Sequence, residues 1–288
     1  MKLRTLSRAA ALGLLVFPGT LCAGLIYSGP TDTNHPIDPA IPSSDARFAE
    51  WANEIDASRT AFAPRGSTTI NVSGGFNSLG DLNAAEIAAG ATPGYLTVTF
   101  PSGIRNGQGH DFAVFENGFV FPSDPFLLAE LAFVEVSTDG TSFARFPSIS
   151  TNTTWAGTFG QSFGGFDTTN IHNLAGKHAA GYGTPFDLDD LVNDPLVLGG
   201  TVDLANIQYL RLVDIPGNGA FLDSLGNPIL DAWLTSGTGG FDFRLGVGTG
   251  VGVIHAVPEP AAIVSLIIGT LCLLERKRRI RGGARDRA

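Results

Sequence analysis

Short runs that alternate apolar with polar residues, each closed by a glycine, proline or asparagine turn, recur from Ser67 to His255. Period-two alternation suits a pleated strand with one buried face and cannot form the stripe of an amphipathic helix. In Tyr95–Phe100, Leu96, Val98 and Phe100 fall on one face and Thr97 and Thr99 on the other. Ser67–Ser73, Asp111–Phe115, Phe133–Ser137, Ser142–Phe146, Ile207–Val213, Ile229–Leu234 and Phe241–His255 also read as strands. Asn106-Gly107, Asp139-Gly140, Pro216-Gly217-Asn218-Gly219 and Gly226-Asn227-Pro228 punctuate them. Helical patterns do not alternate with these runs, and no fixed-period repeat is visible. A parallel α/β sheet, a propeller and a solenoid are therefore set aside. The expected fold is mainly β, a jelly-roll-like two-sheet sandwich over residues 43–256 with one or two short helices.

The helices are expected in two places. Phe48, Trp51, Ala52 and Ile55 recur at helical spacing within Ser44–Ile55, and Asp81–Ala89 reads as a second turn stopped by Gly90. Residues 24–42, rich in Pro, Thr and Asp, read as an N-terminal arm. In the last run, Gly246, Gly248, Gly250 and Gly252 alternate with larger residues, so a single strand there would carry one bare face for close packing of aromatic rings.

Charge divides the chain into three. Residues 24–256 hold 24 acidic and 8 basic side chains, whereas both ends are basic. So acidic a body opposes nucleic-acid binding, which depends on Lys and Arg neutralising phosphates. It is consistent with a solvated acidic surface or with carboxylates offered to Ca²⁺. Both cysteines, Cys22 and Cys272, lie outside the body, which thus has no disulfide, thiol nucleophile or thiolate metal site.

The N-terminus has the order of a secretory signal peptide over residues 1–23. Lys2, Arg4 and Arg8 precede the apolar Ala9–Phe17, then Pro18-Gly19 and a cleavage position after Ala23. This implies the Sec translocon and signal peptidase as partners. At the other end, Val257-Pro258-Glu259-Pro260 precedes an apolar run over 261–274, followed by Glu275 and the cluster Arg276-Lys277-Arg278-Arg279. The run is expected as a short transmembrane helix. Its 14 residues fall short of the ~20 that span comfortably, and snorkelling basic side chains make up the difference. The basic cluster and the tail 282–288 would stay cytoplasmic, leaving the body outside.

Residues 257–281 resemble the PEP-CTERM sorting signal. That resemblance implies that an exosortase-type enzyme of the membrane recognises Pro258, Glu259 and Pro260, with Arg276, Lys277, Arg278 and Arg279 as the basic part of the signal. It further implies an inner-membrane intermediate, then display at the cell surface or in an extracellular matrix, with exopolysaccharide or envelope glycan as a partner. A second resemblance covers Phe133-Val134-Glu135-Val136-Ser137-Thr138-Asp139-Gly140-Thr141-Ser142-Phe143, which is similar to the strand–turn–strand of galactose-binding-like sandwiches. It implies a secreted bacterial domain of the kind that binds sugars.

Three groups of residues are candidate sites. Asp111, Glu116 and Asn117 flank a strand ending in Asn117-Gly118, where carboxylate and carbonyl oxygens could hold Ca²⁺. Asp187, Asp189 and Asp190 form a second oxygen-rich segment, readable either as Ca²⁺ ligands or as acids at a helix N-terminus. Lys177, His178 and Tyr182 share a glycine-rich loop that could meet a glycan or a carboxylate-bearing ligand. No H-E-x-x-H or G-x-S-x-G motif occurs, so no catalytic residue is assigned. The expected function is that of an exported non-enzymatic surface or matrix protein, binding glycan or Ca²⁺. The alternative is a secreted glycan-active hydrolase or lyase on a jelly-roll scaffold.

Overall fold

The computed structural model describes residues 26–157, 160, 163–233 and 239–258. Residues 1–23, Glu259, Pro260, the apolar run 261–274, its basic cluster and the tail 282–288 lie outside them. Among the described residues no helix is long and apolar enough to cross a membrane.

The fold is mainly β, with several antiparallel sheets and two short α-helices among the described residues. Ten strands build the two largest sheets: β1 (Ile41–Pro42), β2 (Glu50–Trp51), β3 (Glu54–Ile55), β4 (Tyr95–Ile104), β5 (Phe112–Phe115), β6 (Ala132–Ser137), β7 (Ala144–Arg145), β8 (Tyr182–Phe186), β9 (Ile207–Asp214) and β10 (Val251–Val253). The first sheet runs β1-β8-β5-β10-β2, and the second β7-β6-β9-β4-β3. Their apolar faces share one core. Phe112, Val114, Phe186, Val251 and Val253 come from the first sheet, and Leu96, Val98, Val134, Val136, Leu210 and Leu212 from the second. Phe112 stacks on Phe186 at 5.3 Å and meets Phe146 edge-on at 5.7 Å. Alternation explains β4 and β9: Leu96, Val98, Leu210 and Leu212 are fully buried. β6 is buried along its whole length, because a second core (Leu127, Leu131, Phe133, Phe166, Ile171, Ile229) packs beside it.

The segment Ser44–Ile55 is not a helix. It holds β2 and β3 and passes from one sheet to the other. Ala49 and Ala52 donate to Val253 and Val251, and Asn53 and Asp56 donate to Thr99 and Thr97. Two open strand edges satisfy its backbone, which outweighs any local helical preference. The four residues with helical spacing are shared out accordingly. Phe48 and Trp51 pack on Phe115 at the outer side of the first sheet, while Ala52 and Ile55 enter the main core.

Ser67–Ser73 is likewise not a strand. The Asn77 side chain accepts from the Asn71 N–H at 2.7 Å and donates to its carbonyl at 2.9 Å, replacing a ladder partner; Phe76–Ser78 pairs instead with Asp242–Arg244. Phe241–His255 divides into that short strand and β10, with Gly246 and Gly248 at positive φ between them. Of the alternating glycines, Gly252 keeps the close approach: a Cβ there would lie 2.6 Å from the Phe48 ring.

The second expected helix is present as α1 (Ala84–Ala88), with Asn83 and Glu86 forming a reciprocal capping box and Gly90 at positive φ beyond it. The stretch read as an arm is built into the body from Ser28 onward: Ser28 and Asp38 are buried and β1 pairs with β8.

Candidate functional site

The three candidate groups have different fates. Asp111 is fully buried and its oxygens are committed to protein donors. Oδ1 accepts from Gly107 N–H and faces His255 Nδ1, each at 2.7 Å, and Oδ2 accepts from Leu188 N–H at 2.7 Å. It ties three loops together. Asp187 caps a 3₁₀ turn (Leu188–Leu191) by accepting from Asp189 N–H, while Asp189 and Asp190 accept from Asn106 and Asn173. The acids at this turn thus behave as cap and surface acceptors. Burial raises Asp187 to about 6, with the neighbouring acids adding to it.

Lys177 and His178 are buried and face inward. Lys177 is 0% exposed, with Nζ donating to Asp38 Oδ2 at 2.7 Å and to the Ile171 carbonyl at 2.9 Å. His172 meets the same Asp38 oxygen at 3.1 Å and stacks on Tyr27. Burial pulls the Lys177 ammonium down to about 8, with the Asp38 charge opposing. Burial pushes Asp38 up, but the His172 hydrogen bond and the Lys177 charge together leave it below its ordinary value. His178 lies between Ser28 Oγ (2.9 Å) and Thr184 Oγ1 (3.1 Å), and burial beside Lys177 holds it neutral. Tyr182 stands apart, half-buried in β8 opposite Pro42.

Glu116 and Asn117 lead to a larger group. β5 ends at Phe115, and Asn117 Nδ2 donates to Asp242 Oδ2 at 3.1 Å. Asp242 pairs with Ser78, whose hydroxyl donates to the Gly239 carbonyl, and Gly239 in turn accepts from Gly80, the neighbour of Asp81. Asp214, the last residue of β9, accepts from Phe241 N–H at 2.7 Å and lies opposite Ala132. Asp231 accepts from Leu131 N–H at 2.9 Å, next to Glu130. Strand ends and loops from six parts of the chain thereby bring Asp81, Glu116, Glu130, Asp214, Asp231 and Asp242 near enough to act on one another electrostatically. Gly240, at positive φ, allows the close approach: a Cβ there would lie 2.6 Å from Asp214 Oδ1 and 2.9 Å from Gly80.

Electrostatically this group is unbalanced. Among the described residues, none of Glu116, Asp214, Asp231 and Asp242 forms an ion pair with Lys, Arg or His. Burial first, and then the Glu130 and Asp242 charges, push Glu116 well above the carboxylate range. Burial does the same to Asp214 and Asp231, with Asp81 and Glu130 adding to both. Burial raises Asp242 against the hydrogen bonds from Asn117 and Ser78. Among the described residues, Glu116 Oε1, Asp214 Oδ2 and Asp242 Oδ1 have no hydrogen-bond partner. A cleft of about 140 Å³ reaches Glu116, Asn117 and Asp242 from outside, with Arg244 on its wall. Among the described residues, no group of three or more His, Cys, Asp or Glu side chains could hold a metal ion.

The sequence reading missed Asp81, Glu130, Asp214, Asp231 and Asp242. A signal was there: Leu-Val-Asp214-Ile, Ile-Leu-Asp231-Ala-Trp, Phe-Asp242-Phe and Leu-Ala-Glu130-Leu-Ala each set an acid among apolar residues. A solvated acid has no need of such neighbours.

No family model matches the chain, and no curated protein or solved structure matches it.

Proposed function

We propose that this chain is an exported, non-enzymatic protein of the cell surface or extracellular matrix. It leaves through the Sec translocon, loses residues 1–23 to signal peptidase, and passes through the inner membrane. An exosortase-type enzyme acting at Pro258-Glu259-Pro260 then sorts it, and the acidic body meets envelope glycan or exopolysaccharide. The observation that carries this reading is the unbroken order of Pro-Glu-Pro, apolar run and Arg-Lys-Arg-Arg at the C-terminus. The exit of the chain from the body fits it. Val257 N–H closes onto the Gly103 carbonyl, and Pro258 is exposed immediately after, where a membrane enzyme could reach it.

The two large sheets, joined through one core, support the jelly-roll-like description of the body. The strand–turn–strand similar to galactose-binding-like modules is formed by β6 and β7, with Asp139 accepting from Thr141 and Ser142 N–H in the turn.

The test is made in the native host by exchanging Pro258→Ala together with Glu259→Ala in the full chain. The variant should accumulate uncut in the inner membrane. Processing and surface display equal to the parent's would refute the sorting assignment.

A further inference from the structure

The face of the second large sheet turned away from the main core carries two distinct rows of side chains. Along β6, Val134 and Val136 enter the main core, so strand alternation puts Phe133 and Glu135 on the opposite face. Register then fixes their neighbours. Glu135 lies opposite Arg145 of β7 and Arg211 of β9. Phe133 lies opposite Val213 of β9, which in turn lies opposite Tyr95 of β4. One charged row and one apolar row thus run side by side across the sheet. Together they line a cleft of about 350 Å³, to which Phe221 also contributes.

The charged row is unbalanced. Glu135 Oε1 accepts from Arg145 Nε at 2.8 Å, and Oε2 accepts from Arg211 Nε at 2.6 Å. Among the described residues no other carboxylate is shared by two arginines, and neither guanidinium pairs with a second acid. One positive charge is therefore left over here, in a body where 24 acidic side chains face 8 basic ones. Both guanidiniums are also held in place. Arg145 lies over the Phe133 ring at 4.2 Å and Arg211 over the Phe143 ring at 3.8 Å. A guanidinium fixed by a carboxylate and by an aromatic ring has little rotamer freedom left to lose on binding. The two side chains are 45% and 27% exposed, so part of each still meets solvent.

We infer that this cleft binds an acidic sugar, a hexuronate unit of a polysaccharide, with Arg145 and Arg211 on its carboxylate and Tyr95 and Phe221 against its ring. The inference rests on the proposed reading that the body meets a glycan, and adds the place and the sugar chemistry. The surplus charge selects an anion, and the planar fork of arginine matches a carboxylate. The apolar row selects a ligand with an apolar face beside its charge, whereas a small inorganic anion would leave Tyr95 and Phe221 unused. An extended peptide is disfavoured: strand addition uses an open sheet edge, and β6 and β9 already have a neighbouring strand on each side. Ligand sites run from about 300 to 1,000 Å³, so this cleft suits about one or two sugar units of a longer chain. Glu135 acts as a positioning residue for the two arginines.

The test is made on the full chain in detergent by calorimetric titration with trigalacturonate. Maltotriose serves as the neutral sugar and triglutamate as the carboxylate without a sugar. Trigalacturonate should bind, and less tightly as salt is raised. The other two should bind about tenfold or more weakly than it does. Arg145→Gln should weaken trigalacturonate binding by about tenfold or more, the loss of a charge-assisted hydrogen bond. Tyr95→Ala should weaken it too, and takes the place of the first variant if thermal melting shows that one unfolded. Absence of a binding heat with trigalacturonate, or triglutamate binding as tightly, would overturn the inference. Parent-like binding by the folded variants would overturn the site and leave a glycan partner to be met elsewhere on the body. Binding of maltotriose alone would overturn the acidic sugar and leave the broader glycan reading standing.

Discussion

Buried charge is handled in two ways at the level of single residues. Around Asp38, Lys177 supplies positive charge and both Lys177 and His172 supply hydrogen bonds, so the carboxylate stays ionised. Lys177→Ala would leave that carboxylate buried beside a void. Chemical denaturation should register a loss of about 3–5 kcal/mol, the usual cost of breaking a buried pair from one side. Around Asp214 the balance is reversed, and burial raises Glu116, Asp214 and Asp231 well above their ordinary values. A group raised in the folded state binds more protons there than in the unfolded chain. Its contribution is therefore fully present below the unfolded pKa of ~4 and is lost as pH rises through the folded value. The urea midpoint should accordingly rise as pH falls from neutrality toward that range, and Asp214→Asn should flatten the rise. Asp187 follows the same sign in a narrower window, from its ordinary 3.8 to about 6. Asp187→Asn keeps the cap to Asp189 and should lessen the loss of stability across that interval; an unchanged pH profile would show that burial of Asp187 is inconsequential.

Secondary structure was legible in the sequence wherever one face of a strand is buried. Leu96, Val98 and Phe100 mark β4, and Asp139-Gly140 marks the β6–β7 hairpin, because both signals are local. Ser44–Ile55 defeated the same reading because its partners are Val251, Val253, Thr97 and Thr99, far away in the chain. The Ser67–Ser73 segment defeated it through one side chain, Asn77, acting as a strand. The acids of the candidate site were hidden for a related reason. Apolar neighbours mark Glu130, Asp214, Asp231 and Asp242 one at a time, but only tertiary packing adds Asp214 and Asp231 to Glu116. Two substitutions probe the elements directly. Phe112→Ala removes the ring that packs on both Phe186 and Phe146 and should cost about 3–5 kcal/mol in denaturant unfolding. Gly252→Ala would push a methyl into the Phe48 ring and should cost about 1–3 kcal/mol, measured in the same way.

At the scale of the whole molecule, the chain separates a folded acidic body from two basic, apolar ends. Such a separation has a physical logic for export. Under the export proposed above, the acidic body would meet water on the far side of a membrane, while the cationic ends would favour the cytoplasmic face during transit. The body is also closed on itself: β10 joins the first sheet, and Ala256 bridges Ile104 at the edge of the second before the chain departs at Pro258. Removing everything beyond Pro258 would therefore leave the described core complete. The measurement that bears on this most directly is the intact mass of the protein isolated from its native host, with the compartment of origin recorded. A species from the envelope or matrix, trimmed near Ala23 at one end and near Pro258–Pro260 at the other, is the predicted result. A polypeptide running from Met1 to Ala288, uncut and in the cytosol, would contradict it.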